Sequence, residues 1–192
     1  MQDALAVGVG DGVADGDQPA QQLPKRRTVL QTAGLVGLVK AAQGVMAEIL
    51  SPTTSNGAAS EERRLLASAK KIVLLLMGAS YQKFLGDLER QQEVLSAISD
   101  TVMEVFAMES TLLRSEKKKS EAMSQMTAVL LRDAMTRIEA CARNVLAACA
   151  EGDALRTNMA VLRKLAKFEP VNAIALRRSI AERLLDAGRY VA

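Results

Sequence analysis

Between Ser60 and Glu169 the chain has no proline, and its apolar residues recur every three or four positions almost without a break. That is the period of amphipathic helices, in which each apolar residue returns to the same face after about 3.6 positions. Leu65, Ala69, Ile72, Leu76 and Met77, continued by Phe84 and Leu88, mark a first helix over 61–90. Val94, Ile98, Val102, Val105, Glu109 and Leu112 mark a second over 92–116. Met123, Met126, Leu130, Ala134, Ile138, Cys141, Val145 and Ala148 mark a third over 121–150. The sequence EGD at 151–153 ends it, and Asp153 is expected to cap a fourth helix carrying Leu155, Met159, Leu162 and Leu165. Pro170 breaks the chain before a last helix with Ile174, Ala175, Ile180, Leu184 and Leu185, which Gly188 closes. The expected fold class is all-α, a bundle of about five helices over 60–192. A flexible Gly/Pro-rich tail over 1–59 precedes it, with one helix at 28–50.

Composition supports helix over sheet and narrows the chemistry. Hydrophobic residues make up 49% and aromatics 3%, so the core is built from Leu, Ala, Val, Ile and Met. Net charge is +3, too small an excess to imply nucleic acid, and five Phe and Tyr in all offer no stacking platform for bases. Histidine is absent, which removes Ser-His-Asp and Cys-His arrangements and every His-containing metal site. Cys141 and Cys149 stand eight positions apart on one helix, about 12 Å of rise, too far for a disulfide. The longest apolar run, IVLLLMGA at 72–79, is far short of the ~20 residues a membrane span needs.

The tail holds two further motifs. Glycines 8, 10 and 12 do not make a phosphate loop, since a GxGxxG frame begun at Gly8 meets Val13 and one begun at Gly10 meets Asp15. KRRTVLQTAGLVGL, with Arg26 and Arg27, is similar to a twin-arginine export signal. Lys40 interrupts its apolar region, however, and an ordinary amphipathic helix or linker is the preferred reading.

The carboxylates of the second helix are its sharpest candidates. Asp100 and Glu104 fall one turn apart, away from the apolar stripe, and are expected to be solvated or paired with a neighbouring helix. Glu109 occupies a stripe position. A carboxylate there needs a partner, and Arg137, or failing it Arg132, can supply one as a buried ion pair that fixes helix register. The alternative, a catalytic base in a dry pocket, lacks an accompanying electrophile, oxyanion site or cofactor cradle. Lys117, Lys118 and Lys119, with Arg177, Arg178 and Arg183 on the basic last helix, are candidate contacts for a partner or an anionic membrane surface.

The stretches QEVLSAISDTVMEVFAMES and FEPVNAIALRR, within residues 60–192, resemble the extra C-terminal helical region of bacterial acyl-CoA dehydrogenases of the very-long-chain type. By that resemblance the parent enzymes hold FAD, a glutamate removes the α-proton of an acyl-CoA, and the flavin takes the β-hydride. Nothing here resembles the flavin-binding β-domain or the YEGT-type stretch near the catalytic base, so no catalytic or cofactor-binding residue is carried over and none is assigned. The resemblance implies an accessory domain of fatty-acid β-oxidation, not catalytic alone, without FAD in this chain. Its partners would be a catalytic body or a second copy, and its location cytoplasmic with peripheral attachment at the inner membrane. The expected self-association face carries Val94, Val102 and Leu112, or the last helix. The rival readings are an independent membrane-surface or interaction protein and a subunit of a split dehydrogenase.

Overall fold

In a computed structural model, residues 60–190 are described continuously, together with positions 36, 37, 40, 41, 43–45 and 47, all eight of them helical. Most of the tail, including the glycine-rich stretch and Arg26–Arg27, lies outside the described residues, and the helix expected at 28–50 is seen only at those eight positions. Of these, Val45 is buried against the main core.

Five α-helices follow: α1 (Glu61–Phe84), α2 (Gln92–Lys118), α3 (Glu121–Cys149), α4 (Gly152–Leu165) and α5 (Ala173–Ala187), with a 3-10 turn at Leu85–Arg90. The all-α expectation holds. Ser60 caps α1 by accepting from the Arg63 amide at 3.3 Å, and Ser120 caps α3 through the Met123 amide at 3.1 Å. The two-residue connection Lys119–Ser120 forces α2 and α3 antiparallel, and Lys119 makes the turn with a left-handed φ of 53°. Gly188 ends α5 in the same conformation, φ 59°, as its position implied.

α3 is the central element and packs on α1, α2, α4 and α5. Contact with so many neighbours explains its burial on more than one face: Leu131, Met135, Ile138, Ala142 and Leu146 are all fully enclosed. A helix surrounded in this way loses the single-stripe pattern. Ala148, expected inside, is exposed, while Ala142 and Cys149 are buried.

Three expected features are corrected. α1 stops at Phe84 instead of running to 90, because Leu85 turns left-handed (φ 44°) ahead of Gly86 and Asp87, both weak helix formers. Asp153 does not cap α4; Glu151 holds that position without a side-chain bond, Gly152 makes the turn at φ 55°, and Asp153 pairs with Arg156 at 3.2 Å. The buried seam of α2 is Val94, Ile98, Thr101, Val105, Met108 and Leu112, so Thr101 and Met108 replace Val102 and Glu109. Thr101 can be buried because its hydroxyl donates to the Ala97 carbonyl at 2.9 Å, which leaves its methyl to pack.

Candidate interaction surface

The rotation of α2 decides where its carboxylates go. Glu109 and Arg137 do not pair with each other, nor does Glu109 meet Arg132. Glu109 is 41% exposed and accepts from Lys70 Nζ on α1 at 2.6 Å. One step further round the helix than the core seam, it stands at the α1–α2 edge instead of in a dry pocket. Arg137 holds Glu104 through two bonds, Nε at 2.6 Å and a terminal nitrogen at 2.8 Å. The hydrogen bond to Glu104 raises the Arg137 pKa above its ordinary value, against a smaller opposing cost of burial. Arg63 grips Glu116 in the same two-pronged way at 2.7 and 2.8 Å. Three ion pairs therefore run along the edges of α2, each half-open to solvent, where such pairs set register more than they add stability.

Arg132 is the buried cation among the described residues, 9% exposed. It donates to the carbonyls of Ala128 and Glu169, both at 3.0 Å, and lies 3.9 Å from Glu62. It thus ties α3 to the start of α1 and to the segment before α5. Both cysteines are free thiols engaged inside the bundle: Cys141 donates to the Ala97 carbonyl at 3.1 Å, and Cys149 lies 3.3 Å from Ser80 Oγ. Burial pushes the Cys149 thiol pKa up, and the Ser80 hydrogen bond only partly offsets this.

Two of the three arginines on the last helix anchor it to the bundle. Arg177 bonds Asp133 at 2.6 Å, and Arg183 lies 3.1 Å from Glu121. Arg178 is exposed with no partner among the described residues, as are Lys117 and Lys119, and Lys118 is exposed beside them. α5 buries no residue fully, and its outward arc carries Ile174, Arg178, Ala181 and Leu185, the leucine 80% exposed.

Exposed apolar side chains also gather on the outer face of α2. Val102, Met103, Phe106 and Leu113 are all open, Phe106 to 71%. Beside them two shallow grooves between α2 and α3 meet at Ala107. One, of about 440 Å³, is lined by Asp100, Met103, Glu104, Arg137 and Cys141. The other, of about 400 Å³, is lined by Phe106, Arg114, Met126, Leu130 and Tyr190. The self-association face expected from sequence is therefore corrected: Val94 and Leu112 are core, and only Val102 lies outside. Sequence reasoning missed Phe106, Met103 and Leu113, although Leu95, Val102, Phe106 and Leu113 form a second stripe at helical spacing. Among the described residues no group of three or more His, Cys, Asp or Glu is placed to hold a metal, and no helix is long and apolar enough to cross a membrane.

This geometry is that of an apolar-faced helical module, and its sequence relationships agree. Residues 68–164, from the second turn of α1 to the end of α4, match the sequence model described as "Acyl-CoA dehydrogenase, C-terminal domain". The chain belongs to this family. The chain is 36% identical over 120 residues to a probable acyl-CoA dehydrogenase of Bacillus subtilis (strain 168), covering 59% of this chain and 20% of that protein. The crystal structure of an acyl-CoA dehydrogenase complexed with FAD from Bacillus anthracis superposes with a TM-score of 0.77 and 33% identity. That match takes in 86% of this chain and 30% of the other. The chain thus spans a third or less of the length of these relatives.

Proposed function

We propose that this chain serves as the accessory C-terminal domain of an FAD-dependent acyl-CoA dehydrogenase of fatty-acid β-oxidation, of the very-long-chain type, and that it is not catalytic alone. The observation that carries the reading is the superposition of 86% of the chain on 30% of a flavin-bound acyl-CoA dehydrogenase. The domain's work is docking on a catalytic body, with residues 60–192 as the docking unit.

Neither groove between α2 and α3 fits a flavin. The dinucleotide's diphosphate needs unneutralised cations or helix amides around it. The α2–α3 groove offers Asp100 and Glu104, with its one arginine already held by Glu104. The second groove has Arg114 but is a shallow surface trough, not a slot that would enclose an isoalloxazine ring. No chemical step is therefore assigned to this chain.

Docking is assigned to the outward arc of α5. A stripe of Ile174, Ala181 and Leu185 around the unpaired cation of Arg178 has the mixed character of a domain–domain contact. The test is co-purification of the chain with a flavin-loaded acyl-CoA dehydrogenase body. Association weakened by Leu185→Glu supports the assignment, and association indifferent to it moves the contact elsewhere. A second reading, attachment to an anionic membrane surface, draws on the exposed Lys117, Lys118 and Lys119 at the end of α2. Flotation with phosphatidylserine vesicles that weakens with salt supports it, and no flotation rejects it.

A further inference from the structure

α5 is attached unlike the other helices. Of the five it packs on α3 alone, and it buries no residue, whereas α4, of similar length, buries Val161, Leu162 and Leu165. Its hold on α3 consists of a half-buried inner face, Leu176, Ile180 and Leu184, and two ion pairs. Arg177 meets Asp133 at 2.6 Å, and Arg183 meets Glu121 at 3.1 Å. Both pairs are open to solvent and therefore screened by salt. A helix held in this way separates at lower cost than the bundle unfolds.

The chain also defines where such a movement would turn. The segment before α5 is fastened as far as Glu169: Phe168 packs against the core, and Arg132 Nε donates to the Glu169 carbonyl at 3.0 Å. The first unfastened residues are Pro170 and Val171. Beyond them α5 carries both of its own caps. Asn172 Oδ1 accepts from the Ala175 amide at 3.0 Å, and Gly188 closes the other end. Neither helix end needs α3 to satisfy its backbone.

Val129 shows what lies beneath. It is only 8% exposed, yet it stands outside the main core cluster. Nine positions separate it from Ile138, about two and a half turns, which puts the two on opposite sides of α3. One turn to either side of Val129 are Met126, which accepts from the Tyr190 hydroxyl at 3.9 Å, and Asp133, the partner of Arg177. α5 and the residues just after it therefore cover Val129.

We propose that α5 is a hinged strap. It swings off α3 as one unit about Pro170–Val171 while the other four helices stay packed, and the two arginine pairs are the latch that sets how often it opens. Opening uncovers Val129, and the outward arc of α5 rides on the moving element. The inference rests on contacts within the chain and not on docking to a catalytic body.

The test is alkylation of the full-length Val129→Cys chain by iodoacetamide under native conditions, read at each cysteine by peptide mass, with circular dichroism to verify helix content. Cys149, buried in the core, serves as the internal clock for unfolding of the whole bundle. Residue 129 should label at least about tenfold faster than Cys149. Adding Asp133→Asn, or raising salt from about 0.05 to 0.5 M, should speed that labelling about threefold. Asp153→Asn, the same change of charge on α4, should not. Ala166→Cys, buried ahead of the pivot, should label as slowly as Cys149. Labelling at 129 no faster than at Cys149, or indifferent to both Asp133→Asn and salt, would overturn the proposal. Ala166→Cys labelling at the rate of residue 129 would overturn the pivot and with it the strap.

Discussion

Met108 and Glu109 are neighbours in sequence, and the fold gives them opposite energetic roles. Met108 is fully buried in the core between helices, whereas Glu109 is a half-exposed partner of Lys70. Met108→Ala removes about three buried methylene-sized groups, or ~2.4 kcal/mol of transfer free energy. The residual cavity raises the total to about 3 kcal/mol. Glu109→Ala breaks one solvent-screened ion pair and should cost under ~1 kcal/mol. The expected gap of about 2 kcal/mol is roughly a thirtyfold difference in unfolding equilibrium. Urea denaturation followed by circular dichroism, at a dilution where the chain is monomeric, measures both variants against the wild type. An unchanged slope m would show that the shift is in stability and not in the denatured state. If Glu109→Ala costs as much as Met108→Ala, α2 is rotated by about one residue. The exposed stripe of Val102, Phe106 and Leu113 would then be misassigned along with the buried seam.

Other regions give independent checks. Leu85 is exposed and left-handed at φ 44°, so Leu85→Gly relieves strain with little burial lost and should stabilise by about 1 kcal/mol, read in the same denaturation assay. Because the folded-state pKa of Cys149 is raised above the ordinary thiol value of 9.0, its contribution to stability is intact below that pH and lost as pH rises through the folded value. Cys149→Ala should therefore flatten the alkaline fall in thermal stability, and Cys149 should alkylate only on unfolding. α5, attached through half-buried Leu176, Ile180 and Leu184 and two arginine pairs, should exchange its amides faster than α3. Asp133→Asn should speed α5 exchange further without changing that of α3.

Much of this architecture was legible because it rests on periodicity. The proline-free run, the break at Pro170 and the left-handed Gly188 all have local causes, and the helices formed where those causes placed them. The errors share one physical root, which is that polarity is a poor guide to rotation about a helix axis. Thr101 looks polar but hides its hydroxyl on its own backbone, so the stripe of α2 slid onto Val102 and Glu109. Arg132 looks like a surface cation but spends its donors on carbonyls of the fold. The partner of Glu109 could not be chosen from sequence, since Lys70 and Arg137 sit on different helices and only packing brings one within 2.6 Å. The exposed stripe of Val102, Phe106 and Leu113 is hard to read from sequence because an amphipathic helix usually has one apolar face, and α2 has two.

The central claim is that this bundle works as part of an acyl-CoA dehydrogenase without holding its flavin. Gel filtration with visible-absorbance detection tests it directly, on the purified chain mixed with FAD and on the chain mixed with a flavin-loaded acyl-CoA dehydrogenase body. The account predicts that free FAD elutes apart from the chain, and that the chain moves to the position of the flavin-loaded body. Flavin absorbance travelling with the chain alone would contradict it and would make the groove beside Asp100 and Arg137 the first place to look for a cofactor.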